Sequence, residues 1–196
     1  MEPIKTFDNF IEGPSNKFAY TVAKEVARNP GKLNTPFLLH GKSGLGKSHL
    51  LSAIAIETKK NFPDFNIMKP SAESFYNEFM KYFENDNVND FINKYLQVNM
   101  LLIDDFDCIE NDEIAQTTLI NILERLIKEN NIQVVITFHD YKGRTKKRLK
   151  YFIEILPSGY LADLQIPNFE LRNKIANKIC KEEKALKKHR VNLWEF

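Results

Sequence analysis

Apolar positions along this chain follow two rhythms: short unbroken runs, and stretches spaced three and four residues apart. Residues 36–40, 65–68, 98–103, 132–137 and 160–166 are compact apolar runs closed off by turn-forming or charged residues. Such runs predict strands buried on both faces. Residues 17–28, 49–60, 72–83, 88–95, 113–129 and 169–188 carry helical spacing. Phe18, Val22, Val26 and Ala27 form the predicted inner face of the first helix; Leu50, Leu51, Ile54 and Ala55 form that of the second. Leu119, Ile122, Leu123, Leu126 and Ile127 do the same for the helix over 113–129. Ser71 is placed to cap the helix that follows it, with Glu73 and Ser74 in the first turn. Strands alternating with helices predict an α/β fold of three layers, a mostly parallel sheet between two sets of helices.

Composition narrows the class only a little. The chain has 196 residues, 43% of them apolar and 28% charged, with a net charge of +2. That suits one ordinary domain, and any affinity for nucleic acid must come from local clusters of charge. Cys108 and Cys180 lack metal-site or CxxC spacing, so reduced thiols and a cytoplasmic setting are expected. No run is long and apolar enough to suggest a membrane span or a secretion signal.

The junction between the first strand and the second helix carries the chemistry. Gly41, Lys42, Ser43, Gly44, Leu45, Gly46, Lys47 and Ser48 fit the pattern GxxxxGK[S/T], with His49 beginning the helix. A chance glycine turn would account for the octapeptide but not for strand, loop and helix in that order. Three glycines let the backbone curl so that its N–H groups face an anion, and the helix N-terminus adds partial positive charge. Lys47 supplies a point charge near the β- and γ-phosphates of a nucleotide, and Ser48 is a ligand for Mg²⁺.

Residues 100–105 form an apolar strand ending in Asp104 and Asp105. Carboxylates at the C-terminal end of a parallel strand lie beside such a loop. Asp104 is assigned to the metal and Asp105 to orienting or deprotonating a water. Thr137, His139 and Asp140, at the tip of the strand over 132–137, are candidates to contact the γ-phosphate or that water; His139 is carried forward as a catalytic candidate.

Taken in order, these segments resemble the AAA+ ATPase domain of the bacterial replication initiator DnaA. The stretch Thr6-Phe7-Asp8-Asn9-Phe10 to Ala19 is similar to that family's leading motif, which lies near the adenine. Ser71 to Phe79, continuing through Phe91 and Tyr95, resembles its helical insert, and Leu101 to Phe106 and Gly159 to Pro167 also look like family segments. The resemblance implies a P-loop NTPase fold over residues 1–166. Residues 167–196 would then form the start of a helical lid, a basic helix and a tail. It further implies ATP or ADP with Mg²⁺, and a role in DNA replication initiation or its regulation. Initiator or other replication proteins, single-stranded DNA and a homo- or hetero-oligomer are the implied partners. A nucleotide-gated protein-binding module and a DnaC-like helicase loader are the alternatives.

Departures from the family pattern lead to further expectations. The family's flanking partner-docking and origin-reading domains are not expected in this chain, nor is the lid arginine. Counted back from Gly159 without a gap, the family's intersubunit arginine falls on Ile155; Arg148 or Lys150 would substitute only if the loop is shifted. Slow hydrolysis is the consequence expected. In the insert, Lys69, Lys81 and Lys94, with Tyr76, Tyr82 and Phe83, are candidates to grip single-stranded DNA. Phe75, Phe79, Phe83 and Phe91 also recur at helical spacing, which favours the core. The basic run over 142–150 and Lys178, Lys181, Lys184, Lys187 and Lys188 are read as phosphate contacts or as solvated faces. Leu193 to Phe196 is read as a tail that docks back or binds a partner.

Overall fold

A computed structural model describes residues 4–32, 35–106, 113–139 and 159–192. The elements are α1 (Lys17–Arg28), β1 (Phe37–Gly41), α2 (Lys47–Asn61), β2 (Ile67–Met68), α3 (Ala72–Phe83), α4 (Val88–Tyr95), β3 (Met100–Ile103), α5 (Glu113–Asn130), β4 (Gln133–His139), β5 (Tyr160–Asp163) and α6 (Phe169–Asn192). The five strands form one sheet in the order β2-β3-β4-β1-β5, and every neighbouring pair is parallel. β4 therefore lies between β1 and β3, so the strand ending in the glycine loop and the strand ending in the acids are both its neighbours.

Alternation along the strands divides the core in two. Phe37, Leu39, Met100, Leu102 and Val135 join Leu50, Leu51 and Ile54 of α2 and Ala23 and Val26 of α1 on one face. Leu38, Leu101, Ile103, Val134, Ile136 and Phe138 join Phe75, Phe79 and Phe91 of the insert and Leu119, Leu123 and Leu126 of α5 on the other. This is the three-layer α/β arrangement that the spacing predicts and that the resemblance to a P-loop NTPase implies. The short strands read as continuous apolar runs because helices cover both faces.

Two details differ from the sequence reading. Phe18 is 56% exposed; α1 instead buries Ala19, Ala23, Val26 and Ala27, small residues that let it lie close against α2. Helix α2 begins at Lys47, two residues earlier than its apolar spacing indicates, because its first turn is the phosphate loop itself. Ser71 does cap α3, its Oγ accepting from the Ser74 N–H at 3.1 Å.

Candidate nucleotide site at the glycine loop

The glycine loop leaves β1 and enters α2 through Gly46, which sits at φ +98° as the N-cap. A left-handed glycine brings no side chain to cap the helix, and no acid stands in its first turn. Neither an N-cap side chain nor a first-turn carboxylate therefore offsets the partial positive charge of this helix end, the arrangement that draws an anion. Gly44, at φ +76°, faces open space: a Cβ built there meets nothing within 4 Å.

Lys47 is only 4% exposed. Its Nζ donates to the Gly41 carbonyl at 2.8 Å and to the Lys42 carbonyl at 3.0 Å, so the ammonium lies over the loop rather than reaching into solvent. His49 has turned the other way. Its Nε2 lies 2.8 Å from the Thr6 carbonyl, and its ring meets Phe10 edge-on at 5.2 Å. Phe10 stacks on Tyr20 at 5.6 Å and closes over Gly46, where an added Cβ would lie 2.8 Å from Phe10 Cε2. The leading segment is thereby clamped to the base of the loop. On its other side, Leu171 of α6 is buried against Gly13, and Lys178 Nζ donates to the Asp8 carbonyl at 3.3 Å.

The acids occupy the adjoining strand end. Asp104 shares the parity of Met100 and Leu102 and so faces α2. Thr137, fully buried on β4, donates its hydroxyl to Asp104 Oδ1 at 2.6 Å and accepts the Asp105 N–H at 2.7 Å. Asp105 sits at φ +53°, a turn that redirects its exposed side chain away from the strand's alternation. His139 ends β4 in register with Gly41. Lys47, Asp104, Asp105 and His139 therefore gather along the C-terminal ends of three adjacent strands. Thr137 has a role that sequence reasoning missed: it braces the acids.

Other candidates fall elsewhere. Phe75, Phe79 and Phe91 are fully buried, and Tyr76, Tyr82 and Phe83 pack against the same cluster. Lys94 is held by Glu78, whose Oε2 also accepts the Tyr95 hydroxyl at 3.1 Å. Burial raises the Tyr95 hydroxyl well above its ordinary range, and Glu78 pushes it the same way. Lys69 is exposed just after β2, and its Nζ donates to Ser52 Oγ of α2 at 2.6 Å. Asp140, Cys108, the basic run over 142–150, Ile155 and the tail over 193–196 lie outside the described residues, as do the side chains of Lys184, Lys187 and Lys188. Cys180 is exposed on α6.

A sequence profile described as the bacterial DnaA ATPase domain matches residues 1–162. The chain belongs to the bacterial DnaA ATPase-domain family. The chromosomal replication initiator protein DnaA of Borrelia turicatae is 38% identical over 182 residues, which is 91% of this chain and 37% of the Borrelia protein. The chain thus spans a little over a third of the curated DnaA relatives it matches. Domain III of the Thermotoga maritima DnaA superposes with a TM-score of 0.78 at 33% identity, covering 94% of this chain and 76% of that one. A replication initiator DnaA bound to AMPPCP and single-stranded DNA superposes at 0.71 with 28% identity, covering 93% of this chain and 55% of its own. No helix among the described residues is long and apolar enough to cross a membrane.

Proposed function

We propose that this domain binds ATP or ADP with Mg²⁺ in the cytoplasm and uses the nucleotide as a switch in replication initiation or its regulation. The observation that carries this reading is the buried Lys47 ammonium, folded over the loop at an uncapped helix N-terminus. In this proposal the amides of residues 44–49 and the Lys47 ammonium cradle the phosphates. The Ser48 hydroxyl and the Asp104 carboxylate are hard oxygen donors suited to Mg²⁺. Among the described residues no group of three or more His, Cys, Asp or Glu has the placing of a metal cage. That fits an ion sharing its ligands between protein, nucleotide and water. When bound, Mg²⁺ neutralises charge on the phosphates. Asp105, exposed beside Asp104, is the candidate to orient a water and take its proton, with His139 as its neighbour at the strand tip.

We further propose slow turnover in the free domain, in which the bound nucleotide controls assembly with initiator or other replication proteins, or on single-stranded DNA. The relative that holds AMPPCP and single-stranded DNA supports this reading. Lys94 is engaged by Glu78, so Lys81, exposed on α3, is the better-placed insert lysine for a DNA contact.

The test measures fluorescent-nucleotide binding and particle size, with and without single-stranded DNA, for wild type and Lys47→Ala. Loss of a charge-assisted contact is expected to weaken nucleotide binding by roughly ten- to a hundredfold and to abolish nucleotide-dependent assembly. Unchanged affinity and unchanged assembly in Lys47→Ala would refute the switch.

A further inference from the structure

We propose that Lys69 is a fixed cation built into the metal side of this site, holding Mg²⁺ affinity down so that the ion binds well only together with nucleotide phosphates. This deepens the nucleotide-switch reading and rests on it.

The backbone places Lys69 on the α2 face of the sheet. Met68, the last residue of β2, is in register with Leu101, and Ser71 bridges to Asp104, so Lys69 lies in the segment between them, two residues before the partner of Asp104. Ile67 packs with the α2-side core, and Lys69 follows it by two positions, so it points the same way. The side chain completes the placement. Nζ donates to Ser52 Oγ at 2.6 Å, and Ser52 in turn donates to the Ser48 carbonyl at 2.8 Å. The ammonium is thus tied, through one hydroxyl, to the residue proposed as a metal ligand, and Asp104 is the other proposed ligand.

Electrostatics gives the arrangement its consequence. Burial lowers the Lys69 amine from its ordinary value; the Asp104 carboxylate opposes that shift, and Lys5 adds to it. Lys69 reaches α2 through Ser52 one turn after Ser48, and Ser71, two residues on, bridges to Asp104, so its positive charge lies on the metal side of the site. A divalent ion arriving alone meets that charge; one arriving with polyphosphate brings its own compensation, and the phosphates are attracted by the same lysine. Lys81 and Lys94 of the insert do not share this position. Lys94 is occupied by Glu78, and Lys81 lines a polar surface cleft with Ser71, Glu73 and Glu78.

The experiment titrates Mg²⁺ into the full chain with fluorescent ADP, starting from EDTA, for wild type, Lys69→Met, Lys69→Gln, Lys69→Arg and Lys69→Met combined with Asp104→Asn. Mn²⁺ binding without nucleotide is followed by electron paramagnetic resonance, and melting temperatures report folding. The expected result is a Mg²⁺ midpoint lowered by roughly three- to tenfold in both neutral variants, tighter nucleotide-free Mn²⁺, and wild-type behaviour in Lys69→Arg. In the Asp104→Asn background the effect of removing Lys69 is expected to shrink, because its target is gone. Lys69→Gln keeps a donor for Ser52 and stands in if Lys69→Met does not fold. An unchanged Mg²⁺ midpoint in the neutral variants, or an equal shift in Lys69→Arg, would overturn the role of Lys69 while wild-type nucleotide binding keeps the switch reading standing. Absence of nucleotide binding in wild type would overturn both.

Discussion

Replacing Thr137 with valine tests whether one buried hydroxyl organises the acidic end of the site. The substitution keeps the branched shape and removes two hydrogen bonds: the one donated to Asp104 Oδ1 at 2.6 Å and the one accepted from the Asp105 N–H at 2.7 Å. The first bond goes to a carboxylate and is worth about 1.5–3 kcal/mol. The second anchors a backbone turn in which Asp105, a non-glycine residue, is held at φ +53°. A left-handed residue of this kind costs about 1–2 kcal/mol and persists only where its surroundings hold it. Asp105 is exposed, so water recovers part of the lost N–H bond. A net loss of about 2–4 kcal/mol is expected for Thr137→Val. Urea denaturation supplies the stability, and a Mg²⁺-dependent nucleotide titration reads the position of Asp104. Thr137→Ser keeps the hydroxyl and is expected to retain most of the Mg²⁺ dependence that Thr137→Val loses. Two results would refute the reasoning. One is Thr137→Val within about 0.5 kcal/mol of wild type; the other is Thr137→Ser as damaging to Mg²⁺ dependence as Thr137→Val.

The remaining expectations concern the loop and the insert. Gly46→Ala forces a Cβ to within 2.8 Å of Phe10 Cε2 at φ +98°, whereas Gly44→Ala at φ +76° meets open space. Denaturation is expected to show about 1 kcal/mol lost for Gly44→Ala, from backbone strain alone, and clearly more for Gly46→Ala; equal losses would mean that Phe10 does not press on the loop. Tyr95 has its hydroxyl proton held more tightly in the folded state than its unfolded value of about 10, and Glu78 accepts that proton's hydrogen bond. The folded state therefore binds more protons above that pH, and its stability must fall as pH rises. The contribution is fully present below about pH 10 and is lost above it at up to about 1.4 kcal/mol per pH unit. Tyr95→Phe is expected to flatten this alkaline limb in pH-dependent denaturation, and an unchanged slope would remove Tyr95 as its source.

Much of the fold was legible because its signals are local. The alternation of apolar runs with helical spacing needs only neighbouring residues to be read, and it marks the strands and helices within a few positions. The glycine loop is equally local: Gly41, Gly46 and Lys47 must follow one another for the backbone to make the turn. Phe75 and Phe79 could be assigned to the core from spacing, because they stand four residues apart on one face of α3. Phe18 could not be placed by that rule. Whether an aromatic or an alanine faces the core depends on how closely α1 approaches α2, and that distance belongs to the packed pair.

The chain alone therefore determined the P-loop, the strand ending in Asp104 and Asp105, and a family resemblance that the profile match and the DnaA relatives bear out. Tertiary structure decided what acts on those residues from elsewhere in the sequence. β4 inserts between β1 and β3, which brings Thr137 onto Asp104 from 33 positions away. Packing of the leading segment sets Phe10 over Gly46, and pairing of β2 with β3 brings Lys69 within hydrogen-bonding reach of Ser52 on α2. Hydrogen bonds and charge act through space over a few ångströms. A linear pattern carries them only where chain neighbours are also spatial neighbours.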